Sequence, residues 1–138
     1  MASKASAVWT GSLKEGKGTI STATGVLKDA NYSFATRFEG AASGTTPEEM
    51  IAAAHASCFS MALSAQLGER GITPQSVETT STVTFENLTL TRSALHTTVK
   101  AKGADRKKVD EAASAAKAGC PISKVLKLEI TLELNIEV

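Results

Sequence analysis

The chain has 138 residues, 42% of them apolar and 21% charged, with a formal net charge of +1. That is the length of one ordinary domain, taken as residues 1–138, with enough apolar material for a real core. Near-neutrality without a basic stripe, and aromatics at only 4%, exclude nucleic acid and anionic membrane surfaces from the expected partners.

Met1 to Lys17 carries no apolar run of signal-peptide length, and no apolar run reaches the ~18 residues of a membrane span. The expectation is a cytoplasmic protein whose thiols are reduced at rest. The first third reads as strands and turns. Val8 and Trp9 open a short apolar stretch, Gly11, Gly16 and Gly18 punctuate the next eight residues, about two turns' worth of chain, and Thr19 to Thr24 is rich in β-branched residues and small hydroxyls. Asp29-Ala30-Asn31 has the composition of a turn between two further strands. Tyr32, Phe34 and Thr36 alternate on one face of the second, which is predicted to end near Arg37 and Phe38. Gly40 to Thr45 is a loop of small residues.

A helix then starts on a strong signal: Thr46 as N-cap, Pro47 at the first helical position and Glu49 completing a capping box. It is predicted from Pro47 to about Glu69, closed by Gly71. Ile51 to Leu63 within it has no charge and mostly small side chains, so the expectation is a helix buried on every side. A globule of roughly 14 Å radius of gyration cannot easily bury it alone, which points to a homodimer with this helix near the shared core.

Ser76 to Phe85 and Ala94 to Lys102 read as two more strands, joined through Asn87 and Arg92. Asp105 caps a second helix, Arg106 to Ala118, with Val109, Ala112, Ala113 and Ala116 as its apolar face. Gly119-Cys120-Pro121 breaks it, and a helical turn comes next, from Pro121 to Leu126. In the last strand Leu128, Ile130, Leu132, Leu134 and Ile136 face one way, and Glu129, Thr131, Glu133, Asn135 and Glu137 the other. The whole is α+β, with antiparallel sheets packed on two main helices.

Two cysteines cannot make a cysteine-only zinc site, and they lack C-x-x-C spacing. Cys58 lies mid-helix, where the helix dipole helps a thiolate little; it reads as a small buried hydrophobe, or as a nucleophile served by a nearby cation. Cys120 precedes Pro121 at a helix start, where backbone N–H groups favour a thiolate, so local chemistry alone ranks it as the more reactive. His55, three residues before Cys58, reads as a satisfied core residue, with a Cys-His dyad as the alternative; no third metal ligand is apparent. His96 has no role. Glu49 is a capping residue, and Arg37 taken alone is a solvated charge.

Read together these residues become specific. Thr36-Arg37-Phe38-Glu39-Gly40, Thr45-Thr46-Pro47-Glu48-Glu49-Met50, Ala53 through Leu63 and Lys117-Ala118-Gly119-Cys120-Pro121-Ile122-Ser123 closely resemble, in order, the OsmC family of osmotically inducible peroxidases. Lys17 to Thr22 and Gly25-Val26-Leu27 match as well. Because Arg37 lies in the later Thr-Arg-Phe-Glu-Gly segment, the chain resembles OsmC proper more than the sister organic hydroperoxide resistance proteins. By position the resemblance implies that Cys58 is the peroxidatic cysteine, Cys120 the resolving cysteine, Arg37 the residue that lowers the thiol pKa and orients the peroxide, and Glu48 the residue that holds Arg37. It implies an intertwined α+β homodimer without cofactor or metal. The substrate would be an organic hydroperoxide, and the reductant a dithiol such as dihydrolipoamide or a lipoylated protein. The competing readings are a general thiol–disulfide oxidoreductase and a lipid-binding module with inert cysteines.

These implied roles carry a geometric tension. Glu48 and Cys58 are ten positions apart on one predicted helix, which is roughly 15 Å along its axis and about 80° around it. Either the helix breaks, for which it lacks proline or glycine, or Glu48 serves the partner subunit; the partner is the expectation.

Overall fold

In the computed structural model, which describes residues 1–138, the chain gathers into two units, residues 1–50 and 51–138. The first holds an antiparallel sheet in the order β1 (Ala5–Thr10), β2 (Lys17–Thr22), β3 (Ala30–Tyr32). The strand expected to continue to Phe38 is instead a short helix, α1 (Phe34–Phe38). Its cause is a capping box at Ser33. The Thr36 N–H donates to the Ser33 hydroxyl at 3.2 Å, and the Ser33 N–H donates to the Thr36 hydroxyl at 2.9 Å. Phe34 and Phe38 then stack one turn apart, ring centres 4.8 Å from each other. The alternation of Phe34, Thr36 and Phe38 fits a period of two and conceals this turn.

The loop after α1 returns to β3. The Thr45 N–H donates to the Asn31 carbonyl at 2.7 Å, and Thr45 bridges Tyr32 in parallel. Gly44 allows the approach, since a Cβ there would lie 2.3 Å from the Asn31 oxygen. The first turn of α2 (Pro47–Glu69) is thereby held beside α1. The Glu49 N–H donates to the Thr46 hydroxyl at 3.0 Å, as predicted, while the Glu49 carboxylate accepts from the Thr45 hydroxyl at 2.7 Å instead of closing the box. At the far end Gly71 adopts φ +75° and the Ile72 N–H returns to the Leu67 carbonyl at 2.9 Å, closing the helix.

The second unit holds β4 (Ser76–Glu86), β5 (Thr89–Lys100), α3 (Arg106–Gly119), α4 (Pro121–Val125) and β6 (Glu129–Glu137), with sheet order β4-β5-β6. Asn87 and Leu88, at φ 50° and 59°, make a tight hairpin, so β5 begins five residues before the expected Ala94. The pairing of β6 with β5, which sets Leu132 beside Leu95, is parallel and not antiparallel as expected. The intervening α3 and α4 form the crossover that a parallel pair needs.

The core of this unit lies between the sheet and its helices. His55, Phe59, Leu63 and Leu67, each four residues apart on α2, are fully buried, with Leu95 and Val99 of β5. Val109, Ala112, Ala113 and Ala116 of α3 are buried on the predicted face, and Ile130, Leu132, Leu134 and Ile136 of β6 pack against them. Burial of Phe59, Leu63 and Leu67 stabilises the unit by about 1.5–3 kcal/mol apiece. The expectation that α2 is buried all round fails: Ala53, Ser57, Met61, Ser64 and Gly68 form an exposed stripe opposite the buried one. The expectation that no segment reaches membrane-span length fails as well, because α2 is long and apolar enough to cross a membrane, by length and composition alone. Its serines interrupt the apolar run without offsetting the alanines, leucines and methionines.

Candidate active site

The two cysteines, 62 positions apart in sequence, meet in the second unit as free thiols with their sulfurs 3.0 Å apart. Cys58 comes from the middle of α2, one residue from the fully buried Phe59, and is partly exposed; Cys120 is fully buried at the junction of α3 and α4. The junction is fixed locally: the Cys120 N–H closes α3 onto the Ala116 carbonyl at 2.8 Å, and Pro121 starts α4. The exposed side of Cys58 opens onto a shallow depression lined by Ala54, Ser57, Met61, Ala62, Pro121 and Ile122, almost wholly apolar.

The surroundings act on the two thiols in opposite directions. Burial, and then the hydrogen bond with Cys120, push the Cys58 thiol above its ordinary pKa. Burial also opposes a Cys120 thiolate, but the Cys58 thiol, the Ser123 N–H and hydroxyl and the Ile122 N–H outweigh it and draw Cys120 below its ordinary value. No capping hydrogen bond of ordinary geometry runs from the Cys120 side chain to α4, so those amides act by proximity and direction.

His55 is the buried, satisfied core residue that the sequence suggested. One ring nitrogen, Nδ1, lies 2.6 Å from the Ser93 hydroxyl, and the other, Nε2, lies 2.8 Å from the Ser123 hydroxyl. Ser93 in turn lies 2.9 Å from the Ser81 hydroxyl. Burial lowers the His55 pKa, so the ring is neutral near pH 7. These three serines are not legible as partners in the sequence, because they lie on β4, β5 and α4, far from His55 along the chain. Ser123, three residues after Cys120, carries the only local hint. His96 pairs with Glu133 at 2.8 Å on the exposed sheet face, away from this cluster.

In the first unit, α1 carries Arg37 and the first turn of α2 carries Glu48. Arg37 Nη2 and Nε donate to one Glu48 oxygen at 2.7 and 3.1 Å. Glu48 is only 8% exposed, and the guanidinium also lies 5.8 Å from the centre of the Phe38 ring. The structure therefore brings the four predicted residues together as two pairs, each within one unit of the same chain. Helix α2 runs unbroken through Glu48 and Cys58, which removes the broken-helix alternative.

Residues 40–135 match the family described as OsmC-like protein. The chain is 50% identical to the protein named Peroxiredoxin OsmC of Escherichia coli (strain K12), over 97% of this chain and 96% of that one. Among solved structures it is similar to the organic hydroperoxide resistance protein OhrB of Bacillus subtilis, with 25% identity, a TM-score of 0.67, and 97% and 98% of the two chains covered. The fold is also shared with an OsmC-like protein from Mycoplasma pneumoniae, at 15% identity, a TM-score of 0.76, and coverage of 100% and 99%.

Proposed function

The chain belongs to the OsmC-like protein family, and on that premise we propose that it is a thiol-dependent peroxidase that reduces organic hydroperoxides to alcohols through Cys58 and Cys120. The observation that carries the reading is the pair of free thiols with sulfurs 3.0 Å apart. The Cys58 thiolate attacks the distal oxygen of the hydroperoxide. An S–O bond forms, the O–O bond breaks, and the departing alkoxide takes a proton to become the alcohol. The Cys120 thiolate then attacks the Cys58 sulfenic sulfur, forming the disulfide and releasing hydroxide, which is protonated to water. A dithiol returns the disulfide to two thiols and is itself oxidised; dihydrolipoamide and lipoylated proteins in the cytoplasm supply that chemistry.

Within residues 51–138 the electrostatics favour a Cys120 thiolate, but access favours Cys58, since Cys120 has no exposed surface and Cys58 faces the apolar depression. Arg37, oriented by Glu48, supplies the charge that the Cys58 thiolate and the developing alkoxide require. The depression suits an apolar hydroperoxide better than hydrogen peroxide. The exposed, uncharged stripe of α2 around Ser57 and Met61 fits a homodimer, in which residues 1–138 act as one domain and each Arg37–Glu48 pair serves the Cys58 of the other copy.

The test is rapid mixing with a panel of alkyl hydroperoxides and hydrogen peroxide, then turnover with several dithiols. Cys58→Ser is expected to abolish peroxide consumption. Cys120→Ser is expected to permit one oxidation without dithiol-driven turnover, and mass spectrometry of the wild type should show a Cys58–Cys120 disulfide after one equivalent. Rapid peroxide consumption by Cys58→Ser would overturn the assignment.

A further inference from the structure

The proposed reaction uses both thiols but leaves unexplained a buried polar chain that ends at one of them. Ser81, Ser93, His55 and Ser123 succeed one another at 2.9, 2.6 and 2.8 Å, and His55 and Ser93 have no exposed surface at all. We propose that His55 is a positioning residue for the disulfide-forming step: through Ser123 it fixes the one hydroxyl that serves the Cys120 sulfur.

Hydrogen counting sets the direction of the chain. A serine hydroxyl has one proton to donate, and a neutral imidazole has one N–H and one lone pair. If the Ser123 hydroxyl gives its proton to the Cys120 sulfur, the Ser123 oxygen is free to accept from His55, so His55 Nε2 carries the proton. Nδ1 then accepts from Ser93, whose oxygen accepts from Ser81. Every member points toward Cys120, and each donor is strengthened by the one behind it. Burial supports the neutral ring that this ordering needs, and Ser123 already acts on Cys120 in the direction of the thiolate.

The consequence concerns the second chemical step. Cys120 attacks as a thiolate: the S–S bond forms, the S–O bond of the Cys58 sulfenic acid breaks, and the hydroxide leaves as water with the proton that Cys120 held. The Cys120 sulfur is oxidised and the Cys58 sulfur reduced. A hydroxyl held in donating orientation keeps Cys120 ionised for that attack and limits further oxidation of Cys58. Without His55 behind it, the Ser123 hydroxyl can turn and accept from Cys120 instead, which favours the thiol.

This inference rests on the peroxidase reading, and its test separates the two. Single-turnover kinetics resolve oxidation of Cys58 from formation of the disulfide, with mass spectrometry of quenched samples identifying sulfenic acid and disulfide. Ser123→Ala is expected to slow disulfide formation relative to Cys58 oxidation by about tenfold and to move the pH midpoint of that step up by about one unit, the worth of one hydrogen bond to a charged group. Ser123→Thr, which keeps the hydroxyl, is expected to restore both. Ser93→Ala, remote from the sulfurs, lets His55 turn to its other tautomer and is expected to give a smaller shift in the same direction. His55→Gln serves as a further check if it folds. An unchanged ratio of the two steps and an unchanged pH midpoint in Ser123→Ala and Ser93→Ala would overturn the inference while leaving the peroxidase intact. Absence of any Cys58 oxidation in the wild type would overturn the peroxidase reading itself.

Discussion

The Arg37–Glu48 and Cys58–Cys120 pairs are both close contacts, 2.7 and 3.0 Å, yet they are held in opposite ways. The cysteines meet inside a core of helices and sheet, and one of them is fully buried. Arg37 stands on a five-residue helix with over a third of its side chain exposed, tethered by a buried carboxylate. The second unit offers the Cys58 thiol burial and a neighbouring thiol, both of which disfavour its charge. The first unit offers a cation and no nucleophilic thiol. Each unit thus carries half of a peroxidase, and the half with the nucleophile lacks what would ionise it. The thiol pair is positioned by packing and is robust; the charged pair is positioned by local hydrogen bonds and is the easier half to break.

The largest effect should come from removing the cation. Arg37→Ala is expected to slow the peroxide step about 10²- to 10³-fold, the range for losing one preorganised donor in a site. The forces left on Cys58 raise its pKa, so less thiolate is present at pH 7, and the pH profile of the peroxide step should move to higher pH. Arg37→Lys should rescue poorly, because Nε and Nη2 both engage Glu48 and an ammonium lacks that planar fork. Thiol titration by ultraviolet absorbance reads the pKa directly; an unchanged Cys58 value in Arg37→Ala would remove Arg37 from its role.

A smaller, recoverable effect asks which chain's cation serves which thiol. Arg37 and Glu48 pair within one chain, so they should act as one donated piece. Mixing Glu48→Ala with Cys58→Ser homodimers under subunit exchange should raise activity above either parent, since each heterodimer then holds one intact site and one doubly damaged site. Arg37→Ala mixed with Cys58→Ser should behave alike. Arg37→Ala mixed with Glu48→Ala should show no gain, because both sites receive a broken pair. Heterodimers confirmed by native mass spectrometry, without any gain for the cysteine mixtures, would sink the shared site.

How much of this is legible in the sequence depends on where the determinants lie. α2, α3 and β6 declare themselves because caps and periodicity are local: Thr46-Pro47, Asp105 and the alternation from Leu128 to Glu137 each sit inside their own element. The direction of β6 is not legible, because parallel pairing is set by the crossover through α3 and α4, not by residues in the strand. α1 is ambiguous because five residues satisfy two periods at once, and the Ser33–Thr36 box that decides between them uses side chains weaker as signals than Thr46 and Glu49. The four site residues emerge through their order in a family pattern. The partners of His55 come from three separate elements, and only folding brings them together.

The smallest predicted effect tests how the weaker half is held. Ser33 caps α1 through its hydroxyl and receives the reciprocal bond from Thr36, and Arg37 is the next residue. Ser33→Ala removes the cap at a cost of about 1 kcal/mol. For a chain of this length that corresponds to a fall in Tm of a few degrees, about 2–5 °C. If α1 fixes the direction of Arg37, its first turn should loosen and the peroxide step should slow several-fold, while the disulfide step, built wholly from residues 58, 120 and 123, should keep its rate. Ser33→Asp, which caps by the same geometry, should retain both stability and rate. A lowered Tm in Ser33→Ala with an unchanged peroxide step would mean that Glu48, buried and fixed in the first turn of α2, orients Arg37 by itself, and that the charged half is less fragile than its exposure suggests.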